Sequence, residues 1–243
     1  MEGYIQCVET NEQEGKRFLT IFFAGCNFSC PWCNTPELLN SKEEFLVDLK
    51  EIKKQIKEQS AGAEGVLITG GEPLFQRLAL IDIAKFCREL ELKVALQTNA
   101  SKPLALRSVL EKKFVDALFI DFKSPLLDKM FERVTKSSTF FIRPRQIIDD
   151  FRESLKIIKD YSDEVEIEFM TRVIPSLMFR KEDFLNIAEE IKDIQCRWRL
   201  TRFQPGTTFS KSFSQLKPPS EFFLEDLKEN IQKTYPQLRI DID

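Results

Sequence analysis

The chain has 243 residues, 42% hydrophobic and 31% charged, with eight glycines and eleven prolines. That is long enough to bury a sizeable core and argues against a disordered or fibrous protein. Lys and Arg number 36 against 39 for Asp and Glu, a net charge of −3, which gives no electrostatic basis for general nucleic-acid binding. No run approaches the ~18 uninterrupted apolar residues of a membrane span.

Residues 1–15 are polar and acidic and lack the apolar stretch of a secretory signal. The expectation is one soluble, cytoplasmic domain over residues 1–243 with no membrane contact. Beyond this leader, short apolar runs rich in Val, Ile and Phe alternate with longer amphipathic stretches. A first strand is expected at 18–24 and a first helix at 43–59, opened by a capping-box pattern of Ser41 with Glu44. A strand at 65–69 leads to a helix at 76–90, where Leu80, Ile83, Ala84 and Cys87 share one face. Then come strand 93–98, helix 103–112, strand 117–122, helix 149–160 and strand 164–171. Helix 181–194 repeats the facial spacing with Phe184, Ile187, Ala188 and Ile191, and strand 198–203 and helix 220–233 complete the series. About six βα units result, fewer than a full barrel needs, so a partial barrel or an open α/β sheet with buried parallel strands fits. In either case ligands bind beyond the carboxyl ends of the strands.

Three of the six cysteines, Cys26, Cys30 and Cys33, fall within eight residues just after the first strand, on a loop at that end of the sheet. The bunching points to metal. A structural zinc site wants four tetrahedral ligands, and here there is no histidine and no second cysteine pair to complete it. An iron–sulfur cluster can keep one iron free of protein ligands, which three thiolates suit. An inert core is disfavoured by the polar Asn27, Ser29 and Asn34 in the same loop. Cys87 reads as core, whereas Cys7 and Cys196 are spare thiols. Thr69-Gly70-Gly71-Glu72-Pro73 sits between a strand and a helix, where glycines let backbone approach a ligand and a carboxylate can receive an ammonium group. Gln97-Thr98-Asn99 and Asp121-Phe122-Lys123 place further polar groups at strand ends.

The CxxxCxxC spacing, with Trp32 just before the last cysteine, resembles the signature of the radical S-adenosylmethionine (SAM) superfamily. The resemblance implies a partial (β/α)6 TIM-like barrel of the α/β class. It implies that Cys26, Cys30 and Cys33 bind a [4Fe-4S] cluster whose fourth iron is chelated by SAM, and that one electron cleaves SAM to a 5'-deoxyadenosyl radical. The GGEP segment, Gly70, Gly71, Glu72 and Pro73, then receives the methionine amino group of SAM. Trp32, Asn34, Asn99, Asp121 and Lys123 complete the implied cofactor site, with Lys123 a cationic partner for the SAM carboxylate.

More narrowly, the loop from Cys26 to Leu38, the TGGEP and TN segments, Asp121-Phe122-Lys123, Arg172-Val173-Ile174-Pro175 and Phe203-Gln204-Pro205-Gly206 resemble activating enzymes of glycyl radical proteins. Those are the activators of anaerobic ribonucleotide reductase and of pyruvate formate-lyase. This implies a glycyl radical enzyme as the protein substrate and a low-potential electron donor such as flavodoxin or ferredoxin. Asn34 stands where many activators carry histidine, Gln97 where an acidic residue often precedes the TN pair, and the contact made elsewhere by a late histidine has no assigned counterpart near Arg172. A small-molecule radical SAM enzyme such as 7-carboxy-7-deazaguanine synthase carries similar motifs, and a non-enzymatic iron–sulfur or metal-binding module is the third alternative. Arg143, Arg145, Arg197, Arg199 and Arg202 could line the mouth, but are read first as solvated or acid-paired side chains.

Overall fold

The computed structural model describes residues 1–13, 15–206 and 208–243. In chain order the strands are β1 (Glu2–Gln13), β2 (Lys16–Phe23), β3 (Leu46–Asp48), β4 (Ala63–Gly70), β5 (Lys93–Thr98), β6 (Ala117–Asp121), β7 (Glu166–Val173), β8 (Arg197–Arg202) and β9 (Arg239–Ile242). The helices are α1 (Leu49–Gln59), α2 (Arg77–Glu89), α3 (Pro103–Glu111), α4 (Asp128–Thr135), α5 (Pro144–Tyr161), α6 (Lys181–Ile191) and α7 (Glu221–Thr234). The strands form one sheet in the order β3-β1-β2-β4-β5-β6-β7-β8-β9, parallel from β2 onward, with β1 antiparallel to both β2 and β3. Six parallel strands, β2 and β4 to β8, are each followed by helix, which is the partial (β/α)6 barrel expected.

Alternation along the strands decides which side the helices cover. Leu19, Ile21 and Phe23 of β2, Val66 and Ile68 of β4, Val94 and Leu96 of β5, Leu118 and Ile120 of β6 and Phe169 of β7 are all buried on the outer side. There they meet the apolar faces of the helices, among them Leu80, Ile83 and Cys87 of α2 and Phe184, Ile187 and Ile191 of α6. Burying a side chain of this size contributes roughly 1.5–3 kcal/mol, so this layer is the main source of stability. The other side of the same strands carries Thr20, Phe22, Thr69, Gln97, Asp121, Met170 and Arg172 and borders a cavity.

The polar stretch at the start of the chain, where no strand was expected, forms the 12-residue β1; among its described residues only Gly3, Ile5 and Val8 are buried, and a bulge between Ile5 and Cys7 breaks their alternation. The first helix is shorter than expected. Pairing with β1 draws Leu46–Asp48 into β3, and α1 starts after Asp48, whose carboxylate accepts from the Lys50 backbone N–H at 3.0 Å. Ser41 therefore caps nothing; its hydroxyl packs against Gly25. The helix expected from 149 begins at Pro144 in the first helical turn, and α4 and β9 are additions. No described helix is long and apolar enough to cross a membrane.

Candidate active site

Each parallel strand delivers its polar segment to the same end of the sheet. The loop after β2 carries Cys26, Cys30 and Cys33, and it is tied to its surroundings by backbone and side-chain hydrogen bonds. Gly25 N–H donates to Leu38 O, Cys26 N–H to Leu39 O and Ser29 N–H to Thr135 O, at 2.8, 3.0 and 3.0 Å. Trp32 is buried, its indole N–H donating to Val134 O at 3.0 Å, so the C-terminal turn of α4 holds the loop from one side. Phe28 meets Phe131 of α4 edge to face at 5.9 Å. On the other side the Asn27 side chain donates to Ser101 Oγ at 2.8 Å and accepts from Asn99 at 3.1 Å. A segment after β8, which the sequence did not single out as a cover, lies along the loop: Phe209 N–H donates to Cys33 O and Ser210 N–H to Pro31 O.

The three cysteines edge one cavity of about 360 Å³, together with Trp32, Asn34, Gly70, Gly71, Asp121 and Lys123. The structure therefore brings together most of the residues singled out above. Glu72, Pro73 and Asn99 are not on that cavity wall. Glu72 is fully buried; its carboxylate accepts from Thr98 Oγ1 at 2.6 Å, Asn99 N–H at 2.7 Å and Leu74 N–H at 3.0 Å. It caps the turn after β4 and ties that turn to the end of β5. Burial pushes its pKa up to about 7 even though those hydrogen bonds favour the charged form.

The paired glycines have a packing reason as well. Gly70 has φ +116° and a Cβ there would lie 2.2 Å from Phe23 O; at Gly71 it would lie 2.4 Å from Gly25 O. The turn after β4 thus abuts the backbone that launches the cysteine loop, and Gly71 N–H and Glu72 N–H donate to Phe23 O and Gly25 O.

Lys123 is largely buried and pairs with Asp121 at 2.9 Å. Burial disfavours its charge, but the charges of Asp121, Cys30 and Cys26 outweigh that and hold it above the ordinary lysine range. Its ammonium lies 5.1 Å from the Trp32 ring centroid, and the guanidinium of Arg172 lies 5.4 Å from the same ring. Arg172 is on the cavity wall with a buried Nε that finds no hydrogen-bond partner. Thr20, Phe22, Met170 and Thr201 are wall residues that motif reading passed over, whereas Arg172 was quoted in a motif without an assigned contact; the signal available was their two-residue alternation with the buried outer face. The remaining arginines mostly follow the bland expectation. Arg145 pairs with Asp128 and Asp149, Arg199 pairs with buried Glu168, and Arg197, at the amino end of β8, pairs with Glu166.

Among the described residues no group of three Cys, His, Asp or Glu side chains is suited to one metal ion. Three soft thiol donors spread around a single cavity instead match a polynuclear iron–sulfur group. Burial, followed by the charge of Glu72, pushes the Cys26 thiol up to about 12, and burial raises Cys30 further; occupying such a site releases protons.

A family model described as "Radical SAM superfamily" matches residues 20–191. A Methanocaldococcus jannaschii protein assigned as a glycyl-radical enzyme activating enzyme is 28% identical over 229 residues, 93% of this chain and 89% of its own. The 7-carboxy-7-deazaguanine synthase of Clostridium acetobutylicum is 31% identical over 199 residues, 79% of this chain and 87% of its own. Among solved structures, a radical SAM methyltransferase from Sphaerobacter thermophilus superposes with a TM-score of 0.70 at 11% identity, covering 96% of this chain and 68% of that one.

Proposed function

The chain belongs to the radical SAM superfamily, whose enzymes use a [4Fe-4S] cluster and SAM, and we propose that it is an activase that installs a glycyl radical on a partner enzyme such as anaerobic ribonucleotide reductase. The convergence of Cys26, Cys30 and Cys33 with Gly70, Gly71 and the Asp121–Lys123 pair on one cavity supports the radical chemistry. When bound, the cluster and SAM supply a 5'-deoxyadenosyl radical that can take a hydrogen atom from a glycine. The three thiolates hold the cluster, Lys123 holds the SAM carboxylate with Asp121 setting its position, and Trp32 forms the floor beneath Lys123 and Arg172. Phe22 and Met170 on the wall keep water from the reacting atoms. Glu72 acts from behind, fixing the turn that carries Gly70 and Gly71.

A protein-sized substrate is supported by the rim. Leu127, Phe179 and Phe209 are exposed in the connections that follow the carboxyl ends of β6, β7 and β8, and Phe140, Phe141 and Ile142 are exposed in the link from α4, the helix that holds the cysteine loop, to α5. Phe140 and Phe141 are 96% and 86% exposed, an apolar display that a small-molecule enzyme has no need of. The identity to a 7-carboxy-7-deazaguanine synthase favours a second reading, in which the cavity takes a heterocycle.

The test is anaerobic reconstitution with iron and sulfide, reduction, and electron paramagnetic resonance with and without SAM, with 5'-deoxyadenosine measured in the same samples. A SAM-dependent change in the cluster signal with deoxyadenosine formation is expected, and Cys30→Ala should abolish both. Adding anaerobic ribonucleotide reductase should then produce a glycyl radical doublet. Formation of 7-carboxy-7-deazaguanine without a doublet on any glycyl radical enzyme would transfer the assignment to the second reading.

A further inference from the structure

The radical chemistry proposed above consumes one electron for each cleavage, and while a substrate fills the mouth of the cavity that Cys26, Cys30 and Cys33 border, that electron has to arrive through the protein. The cysteine loop is held on two sides, and the sides differ. The α4 side faces the substrate rim, whereas the β5 side leads from Cys26 through Asn27 to Ser101 by a single 2.8 Å hydrogen bond. Ser101 is buried, and its neighbour Lys102 is at the surface of a cleft of about 560 Å³ that also includes Arg77, Leu104 and Asp150.

The ground around this cleft is unusual for a monomer surface. Phe75, Leu78 and Leu104 are 52%, 62% and 82% exposed in the first turns after β4 and β5. The Lys102 ammonium lies 5.2 Å from the Phe75 ring centroid, and Arg77 donates to Ser108. Neither cation forms an ion pair among the described residues, and Asp150 is the one carboxylate on the cleft wall. None of Asn27, Ser101, Lys102, Leu104 and Phe75 borders the 360 Å³ cavity, so a molecule seated here leaves the cavity mouth open.

The geometry points to this patch as the docking surface of an acidic low-potential electron carrier, with Lys102 and Arg77 meeting its carboxylates and Leu104 and Phe75 forming the dry centre. The step is a one-electron transfer: the anionic flavin hydroquinone of the carrier gives up one electron and becomes the neutral semiquinone with no proton released, and the cluster that Cys26, Cys30 and Cys33 would hold takes up that electron. The inference rests on the radical SAM reading and adds the route by which the electron arrives.

Reduction of the reconstituted chain by flavodoxin hydroquinone, followed by stopped-flow bleaching of the cluster, tests it; a ferredoxin runs in parallel and dithionite serves as a small chemical reductant. Lys102→Glu and Leu104→Ser should slow carrier-driven reduction at least tenfold, while iron content and dithionite reduction stay at parent values. Phe222→Ser, which removes an exposed aromatic on α7, should have no effect. The parent rate should fall as salt is raised. Parent-like carrier rates in both variants, an equal loss in Phe222→Ser, or a parent cluster that dithionite reduces and neither carrier does would each overturn the docking surface. A parent chain that takes up no cluster overturns the radical SAM reading, and the docking surface falls with it.

Discussion

Ile120 and Asp121 are neighbours on β6 that point to opposite faces of one sheet. Ile120 is fully buried under the helices, whereas Asp121 borders the cavity and pairs with Lys123. The same division runs through β2, β4, β5 and β7, where Ile21 adjoins Phe22, Ile68 adjoins Thr69, Leu96 adjoins Gln97 and Phe169 adjoins Met170. One residue of translation separates a face that supplies stability from a face that supplies chemistry. The comparison teaches that the two properties can be altered almost independently, because the strand's two-residue period keeps their side chains apart.

Ile120→Ala should have the largest effect on folding, a loss of about 2–5 kcal/mol read from the urea midpoint, because the outer layer is fully packed. Whatever fraction stays folded should keep its ability to load iron. Asp121→Asn is the converse: a roughly 10- to 100-fold fall in deoxyadenosine formation, from losing a charged hydrogen bond to Lys123, with a much smaller change in urea midpoint than Ile120→Ala. If Asp121→Asn unfolds the chain and leaves the surviving fraction fully active, the division between faces is wrong at this strand.

Glu72 sharpens the comparison, since it belongs to the site end yet acts on stability. Its pKa of about 7 lies above its ordinary value of 4.5. Between those values the folded chain binds a proton that the unfolded chain has released, so its contribution is greatest below the window and is lost as pH rises through it. The slope approaches about 1.4 kcal/mol per pH unit at most. Glu72→Gln should flatten urea midpoints measured from pH 4.5 to pH 7 before reconstitution; an unchanged slope would assign the pH dependence elsewhere. The smallest effect is expected for Arg145→Ala, whose pairs with Asp128 and Asp149 are exposed: under about 1 kcal/mol, by thermal melting at low and high salt.

Most of the parallel core was legible in the sequence. Lys93–Thr98 is found as expected, and the other five expected strands are displaced by only a few residues, because Val-, Ile- and Phe-rich runs with flanking turns encode buried strands locally. The cysteine spacing, the paired glycines and the Asp-x-Lys strand end were visible for a similar reason: each is a short segment whose residue types carry the chemistry. The strand β1 was not, since its bulge breaks the period and eight of its residues, Glu2, Tyr4, Gln6, Cys7 and Glu9 to Glu12, are exposed or half-buried.

By itself, then, the sequence determined the alternation of strands and helices, the three-thiol loop and the polar strand ends, all of which depend on residues close together in the chain. Only the tertiary structure decided that Leu46–Asp48 pairs with β1 instead of opening a helix, that Glu72 turns inward to Thr98 and Asn99, and that Arg172 joins Lys123 over Trp32. These contacts join segments tens of residues apart, and no local propensity encodes which distant partner a buried carboxylate, an edge strand or a cation will meet once the sheet closes the distance.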